Sequence, residues 1–333
     1  MSSSTPLTMP QRRQTEDGQE RRVGVEIELS GLGYEALVKK VADVLGAPAE
    51  EKGRYESVVK TDDGPFQIEL DSRQVKEFEL DTGDMPDLLA DVTDAALELL
   101  DATAEKIVPL EIVCPPLPLS ALSKVEQLCQ ALHDAGAQGS RHALHYAFGL
   151  QLNPELPGLD AQTLLSYLRA FGLAYPWLKQ RHQLDISRKF TPYVDAWPEE
   201  YLDVILDPDY APDRSSLIGD YLAHNPTRNR AMDLMPLFAH LDETRIRRKI
   251  DDPRIKPRPT LHYRLPDCDI DNPDWSFSRV WNDWVLVDDL AGDAPRLKAM
   301  GEAWHAYHEG HLSKLASSWE KESAQWLIVR DAS

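Results

Sequence analysis

Arg22-Val-Gly-Val-Glu-Ile-Glu-Leu29 alternates strictly: Val23, Val25, Ile27 and Leu29 fall on one side of an extended chain, and Gly24, Glu26 and Glu28 fall on the other. Successive side chains of a strand point to opposite faces, so this stretch predicts a half-buried strand with an acidic reverse side. The same device recurs further along the chain. In 65–80, Phe66, Ile68 and Leu70 oppose Gln67, Glu69 and Asp71, and then Phe78 and Leu80 oppose Glu77 and Glu79, which predicts a strand pair. VPLEIV at 108–113 predicts a short strand carrying Glu111. The longest alternation, LHYAFGLQLN at 144–153, sets Leu144, Tyr146, Phe148, Leu150 and Leu152 against His145, Ala147, Gly149, Gln151 and Asn153. TLHYRL at 260–265 does the same with His262 and Arg264.

Helical spacing fills the intervals. It predicts a helix over 34–46, a long one over 86–106 through Leu88, Leu89, Val92, Ala96, Leu99 and Leu100, and one closing at Gly136. Helices then dominate 160–250, broken by Pro-rich connections. The pattern predicts an α+β chain on a largely antiparallel sheet, with helices on its apolar face. After Asp267 the character changes: Trp275, Trp281, Trp284, Trp304, Trp319 and Trp326, six of the eight tryptophans, lie in the last 60 residues. An amphipathic helix over 295–328, with Leu297, Met300, Trp304, Tyr307, Leu315 and Trp319, predicts a C-terminal helical segment packed on the main body. The expected division is a polar, disordered tail at 1–20, a main domain at 21–266 and the Trp-rich segment at 267–333.

Composition narrows the function classes. The chain has 333 residues, 36 Lys plus Arg and 56 Asp plus Glu, a formal charge of −20, with 42% hydrophobic residues. Such a chain has apolar material for a large core, so disorder throughout is excluded. An acidic surface repels phosphate backbones and anionic lipid, which argues against nucleic acid or a membrane surface as partner. Cys114, Cys129 and Cys268 form no CxxC pair and cannot all be paired, which predicts small buried hydrophobes in a reducing compartment. With no apolar run of about 18 residues and no signal-like stretch at the start, the expectation is a cytoplasmic protein.

A polar strand face alone is ordinary, because antiparallel sheets commonly show one face to water. Recurrence is what carries weight here: Glu26, Glu28, Glu69, Asp71, Glu111, His145, Gln151, Asn153, His262 and Arg264 all lie opposite apolar sets. If their strands share a sheet, the groups converge. Two carboxylates about 4 Å apart repel by roughly 4 kcal/mol at an effective dielectric near 20, so such a cluster calls for protons, arginines or a divalent cation. Carboxylates without cysteine suit Mg²⁺ or Mn²⁺ rather than Zn²⁺, and Mg²⁺ commonly shares its shell with substrate phosphates. Arg228, Arg230 and Arg264 are available to meet phosphate. The run Arg245, Arg247, Arg248, Lys249, Arg254, Lys256, Arg258 is basic within an acidic chain and reads mostly as a solvated helix end.

These residues resemble a known family. VGVEIELSGL, then FQIELDS, then LEIVCPP, then a His-bearing alternating strand after a helix ending in DAGA, is similar in order and spacing to the amidoligase family, whose fold resembles those of glutamine synthetase and glutamate–cysteine ligase. The resemblance covers roughly 22–265. It implies a catalytic domain with a curved antiparallel sheet whose concave face binds ATP and Mg²⁺. The reaction implied is amide formation between a carboxylate and an amine through an acyl phosphate. On the same basis Glu26, Glu28, Asp71 and Glu111 are metal ligands, with Glu69 as a further polar contact. Glu69 and Glu111 are candidate proton acceptors, Arg228, Arg230 and Arg264 contact phosphate or carboxylate, and His145 and Asn153 contact the nucleotide. At the later strand such relatives often carry His-x-His; here His145 is followed on its face by Ala147, Gly149 and Gln151. A negative site of this kind favours a cationic amine cosubstrate.

Other readings stand beside this one. Gly31-Leu-Gly33-Tyr-Glu-Ala36 fits a relaxed dinucleotide fingerprint, but a first Rossmann strand is nearly continuously apolar and this one carries two glutamates. His305, His308 and His311 lie on one side of a helix and read as a packing or solvated face. The acidic face could also serve a catalytically weakened ligand- or peptide-binding protein, or a phosphotransferase that forms no amide. Nucleotide binding separates the first of these from a ligase, and product analysis separates the second.

Overall fold

The structure, a computed structural model, describes residues 5–70, 110–140, 148–182, 194–309 and 318–327. The expected strand at 77–80 and helix at 86–106 lie outside the described residues, as do Asp71 and His145. The fold is a mixed α and β one with a large, antiparallel sheet. The chain folds into two compact units that are each discontinuous in sequence, the first built from 24–151 and 267–277 and the second from 5–23, 152–266 and 278–333.

In the first unit, β1 (Arg22–Leu29), which enters it at Gly24, forms where the alternation predicts, followed by α1 (Tyr34–Leu45). α1 buries Leu37 and Val41 one turn apart and stops at Gly46, whose φ of +66 is left-handed and open to glycine without strain. Next come β2 (Ala49–Gly53), β3 (Glu56–Thr61), β4 (Gly64–Leu70), β5 (Leu110–Val113), β6 (Leu117–Pro118) and α2 (Ser123–Asp134). The strand path is β2-β3-β4-β5-β1, with the start of β7 (Leu150–Pro154) beside β1 and β6 paired to β1. The pairings of β1 with β5, β5 with β4, β4 with β3 and β3 with β2 are all antiparallel.

One face of this sheet carries the apolar row Ile27, Ile112, Ile68, paired in register, and all three are buried. Ser57 continues the row and accepts a 2.8 Å hydrogen bond from Tyr34 Oη, which fixes the start of α1 over that face. The sequence reading places a partner for β4 at 77–80; within the described residues β4 lies between β3 and β5. The β3–β4 hairpin turns at Asp62-Asp63, and register pairs Thr61 with Gly64.

In the second unit, β7 continues as Leu152–Pro154, and the path β7-β9-β8 adds β9 (His262–Tyr263) and β8 (Met232–Asp233). Among the described residues its helices are α3 (Ala161–Arg181), α4 (Glu199–Leu206), α5 (Arg214–His224), α6 (Met235–Lys249), α7 (Phe277–Gly292, from Ser278 on), α8 (Ala294–Glu309) and α9 (Trp319–Ala324). Asp160 and Asp213 cap α3 and α5, accepting from the backbone N–H of Thr163 and Ser216. The core is aromatic: Tyr263 lies 5.8 Å from Phe171 and 5.2 Å from Trp284, and Phe171 lies 5.1 Å from Trp197, ring centre to ring centre. Trp281, Trp284, Trp304 and Trp319 are buried, so these C-terminal indoles serve packing. Within the single helix expected over 295–328, the described residues show α8 up to Glu309 and α9 from Trp319, and Ser318 before α9 is extended (φ −92°, ψ 151°), so the expected helix is not continuous there.

Residues 5–20, whose polar composition predicts a tail, are held along α7. Thr8 N and Oγ1 both donate to Asn282 at 2.8 Å, Trp281 Nε1 donates to Thr8 O at 2.8 Å, and Gln11 N donates to Asp289 at 2.8 Å. A polar segment of this kind is ordered by hydrogen bonds to its backbone, which a hydrophobicity pattern does not register. At its end Arg21 is almost fully buried. Its guanidinium donates to Glu155 O at 2.6 and 2.9 Å, to Arg12 O at 2.6 Å and to Asp288 at 2.5 and 3.1 Å.

α7 also carries a second buried acid. Asp283 accepts from Arg181 Nε at 3.0 and 3.1 Å, yet burial pushes its carboxyl up to about 6, with Arg181 and Arg279 opposing only in part. A carboxyl whose folded pKa lies above its unfolded one contributes stability that is complete below about pH 4 and is lost as pH rises through about 6. Across that window the wild type is expected to lose about 3 kcal/mol relative to Asp283→Asn. Paired thermal melts at about pH 4 and pH 7.5 measure it, and a gap that does not change with pH would show that Arg181 fully offsets the burial.

Candidate active site

On the face opposite the apolar row, the first unit carries carboxylates. Register pairs Glu28 with Glu111, Glu111 with Glu69, and Glu69 with Glu56, so four adjacent strands contribute one glutamate each to a single cross-strand row. Directly opposed residues share a face with Cβ atoms about 5 Å apart. Glu26 lies two residues along on the same face, in the row of Val113 and Gln67. The strands therefore bring together Glu26, Glu28, Glu69 and Glu111 as the alternation predicts, and add Glu56 from β3, a strand that the sequence reading does not place.

The face differs from a solvated one in its burial. Glu28 and Glu111 are each only 5% exposed, Glu26 and Glu69 are intermediate, and Glu56 at the outer end is exposed. Glu28 is also fixed in orientation: Gln151 Nε2 donates to its Oε1 at 2.7 Å, and the Gly149 backbone N–H donates to its Oε2 at 2.7 Å. Both donors come from the alternating segment at 144–153, whose polar face thus serves the β1 carboxylate.

The donor set is all oxygen and suits a hard divalent cation. Among the described residues no group of three or more His, Cys, Asp or Glu is drawn together into a metal-holding cluster. The row instead offers carboxylates at strand spacing, and an ion held there by Glu28 and Glu111 would complete its shell with water or ligand oxygens.

The second unit carries a cationic cluster of its own. Asp233 on β8 pairs in register with His262 on β9. Asp233 is 0% exposed; its Oδ1 accepts from Met235 N at 2.9 Å, and its Oδ2 lies 3.8 Å from Arg228 Nε and 3.7 Å from His262 Nδ1. Burial pushes the Asp233 carboxyl up to about 6, against the pull of Arg228, Arg264 and Arg258. Arg258 donates to Asn153 Oδ1 at 2.7 Å, and Arg264 donates to Arg228 O at 3.2 Å. Arg230 lies in the same loop as Arg228, but its guanidinium donates to Ala196 O at 2.8 Å.

Of the predicted phosphate and nucleotide residues, Arg228, Arg264 and Asn153 join this cluster. Asp233 is the member that sequence reasoning misses; its signal is a lone carboxylate between Met232 and Leu234, where a charge has no solvated role. Within the basic run most members are engaged locally. Arg245 donates to Ser215 O, Arg247 to Asp252 O and Ile255 O, and Arg254 to Asp252, which holds the Asp252 carboxyl down at about 2. Arg258 leaves the run and turns to Asn153.

Other sequence candidates resolve without a site. β1 is antiparallel to β5, which removes the dinucleotide reading of Gly31 to Ala36. His305 Nε2 and His308 Nδ1 hydrogen-bond to the carbonyls of Leu206 and Trp304. His311 lies outside the described residues. Cys114, Cys129 and Cys268 are free and buried, and burial pushes all three thiols up, away from reactivity. No helix among the described residues is long and apolar enough to cross a membrane.

The first unit thus carries a sheet face of glutamates, and the second carries an arginine cluster over short strands. Residues 19–286 match the model of the family described as "Putative amidoligase enzyme", and the chain belongs to that family. Membership makes it an enzyme of the ligase type. No curated protein matches the chain.

Proposed function

We propose that the protein is an ATP- and Mg²⁺-dependent carboxylate–amine ligase that forms an amide through an acyl phosphate. The observation that carries this reading is the buried glutamate row, Glu28 and Glu111 above all, in a chain of the amidoligase family. Glu26, Glu28 and Glu111, with Asp71, would hold Mg²⁺, for which Mn²⁺ could substitute. When bound, the ion supplies charge neutralisation to the nucleotide's phosphates. The substrate carboxylate attacks the γ-phosphorus in line and ADP leaves; the amine then attacks the acyl carbon and expels inorganic phosphate. Glu69 or Glu111 accepts the proton released from the attacking ammonium. Arg228 and Arg264 stabilise the transferring phosphoryl group, with Arg230 in the same loop. Asn153 and His145 are the nucleotide contacts in this reading.

ADP release with pooled acids and amines tests it. The expected result is turnover that needs both pools, with a cationic amine such as a polyamine preferred, because the site carries net negative charge. No ADP release with any pool would overturn the ligase reading. Phosphorylated acid without amide would replace it with phosphotransfer.

A further inference from the structure

Arg228 is an unusual arginine. Its side chain is 11% exposed, its Nε is buried with no hydrogen-bond partner, and its nearest acids stand off at 3.8 Å (Asp233) and 3.9 Å (Asp252). Asp252 meanwhile is taken by Arg254 in a two-pronged pair at 2.7 and 2.9 Å. A guanidinium has five donors, and a buried one left without hydrogen bonds is costly unless something accepts from it. Asp233 beneath it is equally unfavourable: fully buried, with Oδ2 also lacking a hydrogen-bond partner and flanked by Arg228 and His262 at ion-pair rather than hydrogen-bond distance. Burial has raised its carboxyl, so any charge it carries comes at a desolvation cost. A neutral residue there would relieve that penalty. Groups kept at such a penalty cluster at functional sites.

We propose that Asp233 is a positioning residue: through its Oδ2 it aims the Arg228 guanidinium, leaving that arginine's donors for an oxyanion of the phosphate class, with Arg258 as the neighbouring cation. The arrangement has a physical logic. At 3.8 Å Asp233 orients Arg228 without consuming its N–H groups, whereas a close bidentate pair would take two of the five. Asn153 holds Arg258 by a direct hydrogen bond instead, taking one nitrogen and leaving Arg258 Nε without a hydrogen-bond partner. The inference rests on the ligase reading only for where the phosphate comes from, because anion binding can be read without turnover.

The test uses inorganic tripolyphosphate and the full chain in calorimetry, comparing wild type with Arg228→Gln, Asp233→Asn and Arg248→Gln, the last an exposed arginine of the same basic run. Arg228→Gln is expected to weaken binding tenfold or more, and Arg248→Gln to leave it within twofold. Asp233→Asn is the discriminating variant. Asparagine keeps the Oδ1 acceptor for Met235 N, so it is expected to melt no lower than wild type near neutral pH. Removing a negative charge beside arginines would by itself tighten anion binding, whereas a lost positioning contact weakens it, and a tenfold weakening is expected. Binding that is unchanged or tighter in Asp233→Asn would overturn the positioning role. Equal losses in Arg248→Gln and Arg228→Gln, or no binding by wild type, would overturn the oxyanion site. If tripolyphosphate binds as expected while no acid and amine pair turns over, the site stands and the ligase reading alone fails.

Discussion

Replacing Asp288 with alanine is expected to lower stability by about 3–5 kcal/mol, one of the largest effects available at a single position in this chain. Asp288 is the partner of Arg21, and both side chains are almost wholly buried. Burial alone would drive Arg21 toward neutrality, but Asp288 and Tyr167 more than offset it and hold the guanidinium charged. Tyr167 Oη donates to Asp288 Oδ2 at 2.8 Å, so the carboxylate serves two groups at once. Removing it strands a buried cation and leaves a buried hydroxyl without that acceptor. For a chain of this size the melting temperature should fall by roughly 4–7 °C. Differential scanning calorimetry checks it, and a fall of about 1 °C would mean that the carbonyls of Glu155 and Arg12 satisfy Arg21 unaided.

The second large effect falls on chemistry. Glu28→Gln is expected to reduce ADP formation by about 10²–10³-fold with little change in melting temperature. Glutamine preserves the shape and still accepts from Gly149 N–H, so the variant removes charge rather than packing. Gln151→Ala, which strips one of the two donors that orient Glu28, should cost about 10–100-fold, as removal of an outer-shell partner typically does. Turnover undiminished in Glu28→Gln would remove this carboxylate from the reaction. A loss in Gln151→Ala as large as in Glu28→Gln would instead assign Gln151 a direct role.

How far the sequence discloses this molecule depends on which property each element advertises. β1 and β4 announce themselves by alternation, because one face meets the apolar core and the other carries charge. The alternation does not disclose that the charged face is also covered: Glu28 and Glu111 look like solvated strand residues and are buried. β2 and β3 escape for the opposite reason. AEEKG centres on three charged residues and is mostly exposed, so no apolar periodicity marks it, and its strand character comes from pairing with β3 alone. The Asp62-Asp63-Gly64 turn is the available signal, and it places Glu56 in the acidic row once the hairpin is drawn around it. In the second unit the strands β8 and β9 are two residues each, too short for any pattern. Asp233 and Arg228 become a pair only through the tertiary fold, and their positions in the sequence encode nothing by themselves. Arg258 reads with its basic neighbours, whereas a hydrogen bond to Asn153, far away in sequence, gives it its place.

The way residues 8–21 are held has a consequence for how the molecule comes into being. Thr8 is bound by Asn282, 274 positions later, and Arg21 by Asp288, 267 positions later. On a ribosome these partners emerge long after the segment that needs them, so that segment settles only once α7 has been made. Until then Arg21 has no carboxylate to meet, and the second unit stays incomplete while the whole of 24–151 has already been delivered. Such long-range closure favours slow assembly and makes a chain stopped short of α7 a substrate for quality control rather than a smaller working enzyme.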